Sequence, residues 1–334
     1  GFHVDSYESA INDSSRFIIL SMARFLAVIL LIDLLDAGGS LEYSNQHGQA
    51  DLHINRTDRR DQSGTVAVAY VAHGARAFEF LFGISLQSLA LKGKWDGPVV
   101  VVTDNPECLA LQRPYAKHLN LHVVRVPKRK NVMDMKIDKT RLWKHIDSAG
   151  LHHTQTIIYI DTDVVTTASI SPLVEFISRP ALMSEPLWMY QDKYYPKEFQ
   201  TGFIISNRGP LADKCFKDWA SKFKSHARDQ SALLASKCNE RGYLGELMPT
   251  EKDDMYLVPT LEGLQKGQRA IFMHFTDTGL MLGHHGGQPL LDEIKKLFQK
   301  EFGIGDPWFK QTCLINGEEL LINGGQSLSV EGSH

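Results

Sequence analysis

The spacing of apolar positions changes several times along the chain, and each spacing predicts a type of element. Residues 65–72 and 98–104 are short runs rich in Val, Ala and Thr, as in strands buried on both faces. Between them, residues 77–91 carry apolar side chains at helical spacing, and Gly93 follows soon after. Further helices are predicted at 106–119 and 139–150, and further strands at 121–126 and 156–165. This alternation predicts an α/β fold: an open, mostly parallel, Rossmann-like sheet with helices on both faces.

Beyond about residue 180 the strict alternation ends. A strand is predicted at 202–207 and helices at 211–223 and 288–302. Near the end of the chain, Asn316-Gly317 between two apolar runs predicts a hairpin turn. The C-terminal half is therefore expected to be mixed.

The N-terminal region contains the most apolar stretch, residues 17–35, interrupted by Arg24 and Asp33. A single-pass membrane anchor needs about 20 apolar residues, a signal peptide needs fewer, and a buried core helix fits as well. Residues 38–63 are polar and turn-rich, as in a flexible stem. We predict a signal or anchor segment with its stem at 1–63, a main folded domain at 64–290 and a C-terminal extension at 291–334.

Localisation depends on that apolar stretch. If it is a targeting segment, the main folded domain lies in the secretory pathway, in the Golgi lumen or at its membrane, and Asn55 is a usable glycosylation acceptor. If it is a core helix, the protein is cytoplasmic. The four cysteines lie far apart with no CxxC pair, which argues against a structural zinc site and leaves two disulfides or four free thiols open. We favour the Golgi interpretation.

The charge balance excludes one class of partner. The formal net charge is −3, from 36 basic and 39 acidic side chains, without the basic footprint of a nucleic-acid-binding protein. We therefore expect no nucleic-acid partner.

The strand predicted at 156–165 carries the sequence Asp161-Thr162-Asp163. In an open parallel sheet, ligands bind beyond the carboxyl ends of the strands. Two carboxylates at i and i+2 of an extended chain point the same way, and a hard divalent cation such as Mn²⁺ or Mg²⁺ relieves their repulsion. Such an ion can also neutralise a diphosphate leaving group. An acidic surface turn would contain the same residues.

Further landmarks make this part of the chain resemble the family 8 glycosyltransferases, the group of glycogenin and galactinol synthase. Lys139-Thr140-Arg141 stands where that family has a Lys-x-Arg helix, upstream of a strand that ends in Asp-x-Asp. Residues 199–205 resemble its Phe-Asn-Ser-Gly segment, 229–234 its Asp-Gln helix start, and His274-Phe275 its late His-Phe. The landmarks occur in the family's order within residues 65–276. The resemblance implies a GT-A fold.

The resemblance also implies roles for individual residues. Asp161, Asp163 and His274 would bind Mn²⁺, and Lys139 and Arg141 would contact the phosphates or the donor sugar. Asp229 and Gln230 would face the reacting carbon of the sugar, with Lys139 as a further catalytic group. The remaining donor contacts would come from Ala69, Tyr70, Val71, Thr162, Thr201 and Gly202, with Asp104 as a weaker candidate.

Structural explanations remain open for several of these residues. Tyr70 and His274 could be plain core residues, Asp229 could be a helix N-cap, and Lys139 could be a solvated helix charge. Thr201-Gly202 could mark a bulge in an edge strand. His284-His285 could also compete with His274 for the metal.

The chain departs from the family pattern at two places. Gln200 stands where the family has Asn before its Ser-Gly. Thr276-Asp277-Thr278-Gly279 replaces the Gly and the Lys-Pro-Trp that follow the late His-Phe, and that Lys binds diphosphate in the family. Phosphate contacts are therefore expected from other residues.

Taken together, these features predict a metal-dependent glycosyltransferase that moves a hexose from a nucleotide sugar, UDP-linked by preference, to an acceptor hydroxyl with retention. A sugar-nucleotide nucleotidyltransferase would need a Gly-rich basic loop after the first strand, where this chain has only His73-Gly74-Ala75-Arg76. A non-catalytic module that binds sugar nucleotides or glycans is the remaining alternative.

Overall fold

The computed structural model describes most of the chain from residue 65 onward, and all described residues lie in one compact unit that spans residues 55–334. The apolar stretch 17–35, the stem, Asn55, His284-His285 and residues 276–279 lie outside the described residues. The described ranges are 65–77, 80–109, 116–128, 132–179, 186–191, 198–226, 228–239, 244–246, 255–257, 264, 270–275, 287–302, 312–315, 318–323 and 326–327.

The strands, in chain order, are β1 (Val66–Val71), β2 (Pro98–Thr103), β3 (Asn120–Arg125), β4 (Thr156–Ile160), β5 (Val164–Thr166), β6 (Leu187–Gln191), β7 (Phe199–Asn207), β8 (Leu244–Glu246), β9 (Met255–Leu257), β10 (Phe272–His274), β11 (Thr312–Ile315), β12 (Glu318–Asn323) and β13 (Gln326–Ser327). The helices are α1 (Phe80–Leu91), α2 (Pro106–Leu109), α3 (Val132–Lys136), α4 (Leu142–Ser148), α5 (Ser171–Ile177), α6 (Pro210–Lys222), α7 (Asp229–Leu234) and α8 (Gly287–Phe302). Short 3₁₀ helices span Gly74–Ala77, Ile137–Arg141, Phe223–Ser225 and Lys237–Asn239.

The main sheet has seven strands in the order β3-β2-β1-β4-β7-β6-β8. Strands β3, β2, β1 and β4 run parallel, β7 is antiparallel to β4 and β6, and β8 is parallel to β6. Two three-stranded sheets, β5-β10-β9 and β11-β12-β13, accompany it. The prediction of an open, mostly parallel sheet followed by a mixed C-terminal half is confirmed.

Helices cover both faces of the main sheet because alternate side chains of each buried strand point in opposite directions. Val68 and Tyr70 of β1 pack against apolar side chains of α1, including Phe82. Ala69 and Val71, from the same strand, belong to the cluster on the other face, which is formed by α4 and α6. All six residues of β1 are buried, and this explains its continuous apolar sequence.

The element that leads into β4 differs from the predicted helix at 139–150. Residues Ile137–Arg141 form a 3₁₀ helix, and the α-helix begins only at Leu142. The Thr140 hydroxyl donates to the Ile137 carbonyl at 2.7 Å, and Arg141 leaves helical geometry with φ −120° and ψ 17°. Lys139 therefore lies on a tight turn rather than on an α-helix.

The C-terminal hairpin is present as predicted. Strands β11 and β12 pair antiparallel, with Ile315 opposite Glu318 on either side of the predicted turn. Helix α8 buries Ile294 and Phe298, one helical turn apart, in a cluster with Leu81 and Ile84 of α1. No helix in the described part of the chain combines the length and the apolar character that crossing a membrane requires.

Candidate active site

Asp161, Asp163 and His274 lie together beyond the carboxyl end of β4. Each offers one ligand atom, and these atoms lie within 4.8 Å of one another. The sheet explains how a residue so distant in sequence arrives here: β10 pairs antiparallel with β5, so that His274 lies opposite Val164. The Phe275 N–H also donates to the Asp163 carbonyl at 2.9 Å. We call these three residues the carboxylate–histidine triad.

Gly202 of β7 makes room for this triad. The Asp161 N–H donates to the Gly202 carbonyl at 2.8 Å, which brings β7 close to the end of β4. A Cβ atom at position 202 would lie 2.4 Å from His274 Cε1 and 3.1 Å from Asp161 Oδ2. The glycine in this otherwise apolar segment is therefore explained by contact with the triad.

The donor set of the triad fits a divalent cation. Two carboxylates and one imidazole suit Mn²⁺, whereas Mg²⁺ prefers a shell of oxygen ligands alone. The His274 side chain is buried, and its Nδ1 has no hydrogen-bond partner among the described residues. Burial lowers the pKa of His274, but Asp163, with Nε2 to Oδ1 at 3.3 Å, and Asp161 raise it by more. The two aspartates therefore favour the protonated imidazole when no metal ion is bound, whereas binding of a metal ion by His274 requires the neutral form.

Lys139 connects the triad to Asp229. Its Nζ lies 2.9 and 3.0 Å from the two Asp161 carboxylate oxygens and 3.0 Å from Asp229 Oδ2, and it donates to the Thr201 carbonyl at 3.2 Å. Only 4% of Lys139 is exposed, so the interpretation as a solvated helix charge is wrong. Burial lowers the pKa of Lys139, but Asp161 and Asp229 raise it well above its ordinary value. Lys139 is a permanent cation in the floor of the site.

Tyr159 supports the same carboxylate from the strand itself. Its hydroxyl donates to Asp161 Oδ1, and the Lys139 ammonium lies 5.3 Å from the centre of its ring. Burial, followed by the charge of Asp161, raises the pKa of Tyr159 well above its usual range. Tyr159 therefore remains a neutral hydrogen-bond donor that orients Asp161.

Asp229 is held by three side chains. Lys136 Nζ lies 2.8 Å from Oδ1, while Oδ2 accepts from Lys139 at 3.0 Å and from the Thr201 hydroxyl at 2.8 Å. Burial raises the pKa of Asp229, but Lys139 and then Lys136 lower it far below its ordinary value. Asp229 is the first residue of α7, whereas the N-cap is Arg228 without a side-chain cap bond, so the N-cap alternative for Asp229 is wrong.

A pocket opens between the ends of β1 and β4, next to the triad, with which it shares Asp161. Four of its lining residues were predicted from sequence: Val71, Lys139, Asp161 and Thr162. The other four were not, namely His73, Met135, Lys136 and Tyr159. Lys136 could have been noticed as a second cation three residues before Lys139 on a turn, but nothing in the sequence pairs it with Asp229.

Several predicted residues do not line this pocket. Tyr70 is fully buried in the core, where the Ser85 hydroxyl donates to its oxygen at 3.2 Å, so stacking of Tyr70 on a base is not compatible with this structure. Ala69 is buried on the face of β1 opposite to Tyr70, and it does not line the pocket although Val71, on the same face, does. The Arg141 guanidinium is 43% exposed and faces Asp138 at 3.7 Å. Gln230 accepts a hydrogen bond from Arg228.

His73 lies at the far wall of the pocket, between two buried carboxylates. Its Nε2 is 3.1 Å from Asp138 Oδ2, and its Nδ1 is 3.6 Å from Asp104 Oδ1. Asp104 also accepts from the Gly74 N–H at 2.8 Å, where the glycine φ is +57°. Burial lowers the pKa of His73, and the two aspartates raise it above its ordinary value. Asp104 therefore contacts the loop after β1, at His73 and Gly74, and does not itself line the pocket.

Comparison with known proteins adds similarities of fold. No protein-family model matches the chain, and no curated protein matches its sequence. The crystal structure of galactosyltransferase LgtC in complex with donor and acceptor sugar analogs is 11% identical, with a TM-score of 0.47 over 72% of this chain and 98% of that one. An active-site mutant of LgtC gives a TM-score of 0.48 at the same identity and coverage. The glycosyltransferase GlyE of Streptococcus pneumoniae TIGR4 is 12% identical, with a TM-score of 0.46 over 68% of this chain and 59% of that one. Activity has to be judged from the site itself.

Proposed function

We propose that this chain is a metal-dependent glycosyltransferase of the GT-A type, which moves a hexose from a UDP-linked sugar to an acceptor hydroxyl with retention. The observation that carries the proposal is the carboxylate–histidine triad beside a pocket at the carboxyl ends of β1 and β4. In open α/β sheets this edge is where ligands bind. The order of family landmarks along the sequence supports the same assignment.

In this proposal Asp161, Asp163 and His274 hold Mn²⁺ or Mg²⁺. When bound, such an ion neutralises the diphosphate that leaves the sugar. The nucleotide occupies the pocket against Val71 and Thr162, with its diphosphate directed toward Asp161. Lys139 and Tyr159 fix the orientation of Asp161, so the ligand geometry is set before the donor arrives.

Asp229 supplies a fixed negative charge on the sugar side. Its lowered pKa keeps it ionised at neutral pH, and both oxygens already have hydrogen-bond donors. A carboxylate held in this way can stabilise positive charge that develops on the reacting carbon without first reorganising. To attack that carbon as a nucleophile it would have to give up Lys136, Lys139 or Thr201. We therefore assign Asp229 an electrostatic role in a retaining reaction.

The test is nucleotide binding followed by transfer, with the whole chain. Thermal unfolding is measured with UDP, GDP or ADP, each with Mn²⁺ and with EDTA. A nucleotide at 100 times its Kd should add about 2.7 kcal/mol of stability. Stabilisation by UDP that requires Mn²⁺ and is lost in Asp161→Asn supports the site. No response to any nucleotide by the folded protein would contradict it.

Transfer is then scored by release of UDP from UDP-hexoses over a panel of acceptors, and the anomeric configuration of the product is read by NMR. Tight, Mn²⁺-dependent binding without turnover on any acceptor would instead identify a binding module. Inversion at the anomeric carbon would contradict the retaining assignment while leaving the donor site intact.

We also propose that the catalytic domain works in the secretory pathway, in the Golgi. The support is the disulfide between Cys215 of α6 and Cys238 of the 3₁₀ helix that follows α7. Structural disulfides form in oxidising compartments and are rare in the cytosol. Mass spectrometry of the protein from its native cells, alkylated before lysis, should find this pair oxidised; free thiols at both positions would contradict the assignment.

A further inference from the structure

We infer that Lys136 is a diphosphate-binding residue, which contacts the β-phosphate of the nucleotide donor and of the departing nucleoside diphosphate. The inference rests on the proposed function and adds to it a residue outside the carboxylate–histidine triad. It follows from comparing the two lysines that line the pocket.

Lys139 has no N–H left for a ligand. An ammonium group has three donors, and the Lys139 Nζ already meets the Asp161 carboxylate, the Thr201 carbonyl and Asp229. With 4% of the residue exposed, it stabilises the floor of the site from within. A phosphate could be contacted by Lys139 only if one of these bonds were broken.

Lys136 is placed differently. Its side chain is 34% exposed, and its Nζ is tied to the protein by Asp229 Oδ1 at 2.8 Å. Among the described residues this is the one salt bridge of Lys136. It fixes the ammonium at the pocket wall, and the other two N–H donors of the ammonium can point into the pocket, which Lys136 lines. Position, exposure and remaining donors are those of a cation that meets an anionic ligand.

The contact with Asp229 selects the β-phosphate. In the proposed reaction Asp229 faces the carbon whose bond to the β-phosphate oxygen breaks. A cation 2.8 Å from Asp229 is therefore closer to that phosphate than to the one joined to the nucleoside. Removing Lys136 would take away one positive charge at the place where a diphosphate has to enter.

The experiment measures binding of UDP and of UMP in the presence of Mn²⁺ by isothermal titration for wild type, Lys136→Gln and Lys136→Arg. Lys144→Gln is the matched control, since Lys144 is an exposed lysine of the neighbouring α4. We expect Lys136→Gln to weaken the binding of UDP about 10-fold, equivalent to about 1.4 kcal/mol. The binding of UMP should weaken less than about threefold in the same variant. Lys136→Arg should restore most of the affinity for UDP, and Lys144→Gln should bind both nucleotides like wild type.

A double variant separates phosphate contact from support of Asp229. If Lys136 acts on the phosphate, Lys136→Gln in an Asp229→Asn background still lowers the preference for UDP over UMP. If Lys136 acts only through Asp229, adding Lys136→Gln to Asp229→Asn leaves the preference for UDP over UMP unchanged, and the inference fails. In the single variant Lys136→Gln, the Asp229 carboxylate loses its ion pair with Lys136, and the protein could become less stable. In the Asp229→Asn background that carboxylate charge is absent, so the comparison can still be made.

The outcomes distinguish the inference from the proposed function. Wild-type affinity of Lys136→Gln for UDP, or equal losses for UDP and UMP, would overturn the role of Lys136 and leave the glycosyltransferase proposal standing. Failure of the wild type to bind UDP, GDP or ADP with Mn²⁺ would overturn both. If GDP or ADP is the preferred nucleotide, the same comparison uses that diphosphate with its monophosphate.

Discussion

Two groups of charged residues border the pocket. Each consists of two aspartates that share one basic residue, which is a lysine in the first group and a histidine in the second. On the triad side, Asp161 and Asp229 share Lys139, whose pKa is raised and which stays charged at any pH the protein meets. On the side of β1, Asp104 and Asp138 share His73, whose pKa they raise above its ordinary value against the effect of burial. We call Asp161, Asp229 and Lys139 the lysine-held group, and Asp104, Asp138 and His73 the histidine-held group. The charge of the lysine-held group is therefore constant, whereas that of the histidine-held group changes with pH.

Removing the shared lysine should produce the largest effect. Lys139→Met leaves the buried Asp229 and the partly buried Asp161 without their common cation, and breaking a buried ion pair costs about 3–5 kcal/mol. We expect a decrease of that size in the free energy of unfolding, measured by urea denaturation, together with loss of the Mn²⁺-dependent response to UDP.

Lys144→Met is the control for this prediction, because it removes an exposed lysine from the adjacent helix and should change stability by less than about 0.5 kcal/mol. Equal stabilities for the two variants would mean that Asp161 and Asp229 do not depend on Lys139, and the contrast between the two groups would disappear.

The sheet was predictable because fully buried parallel strands have continuous apolar sequences, as in β1 and β2. Asp161 and Asp163 were predictable from their place at the end of a strand, but the predicted strand 156–165 is wrong in its extent. A turn divides it into β4 and β5, and in this turn the Val164 N–H donates to the Asp161 carbonyl at 3.1 Å, so the two aspartates do not lie on one extended strand. Alternation does hold along β1, where the Tyr70 side chain points away from that of Val71, which lines the pocket, and into the core.

The remaining site residues depend on pairings that local patterns do not contain. His274 reaches Asp163 only through the β5–β10 pairing, and sequence could place it only by resemblance. Lys136 meets Asp229 across a separation of 93 residues, and no periodicity connects them. Arg141 was assigned with Lys139, but the 3₁₀ turn and its contact with Asp138 direct it elsewhere.

A substitution at Gly202 should disturb the triad without removing a charge from the lysine-held group. Gly202→Ala places a Cβ 2.4 Å from His274 Cε1, so the imidazole has to move. Overpacking of this kind costs about 1–3 kcal/mol. We expect a moderate loss of stability and a larger loss of Mn²⁺ affinity. The affinity is measured by titration with Mn²⁺ in an electron paramagnetic resonance assay.

Gly209→Ala provides the comparison for Gly202, because a Cβ there meets nothing within 4 Å and the backbone is extended. This variant should bind Mn²⁺ like wild type. If Gly202→Ala also binds Mn²⁺ normally, His274 is not a ligand and the metal site has to be sought elsewhere.

The smallest expected effect is the pH dependence of the histidine-held group. His73 is faced by Asp104 and Asp138, and Asp138 is faced in turn by His145 and Arg141. Because the pKa of His73 is raised in the folded state, its protonation stabilises the fold fully below its unfolded pKa, and this contribution is lost as the pH rises through the folded pKa. The stability difference between wild type and His73→Gln, measured by urea denaturation, should therefore decrease as the pH rises above about 6.5, the pKa of a histidine in the unfolded chain. A difference for His73→Gln that grows with pH would mean that the neutral imidazole is the stabilising form, and the two groups would then differ in more than their base.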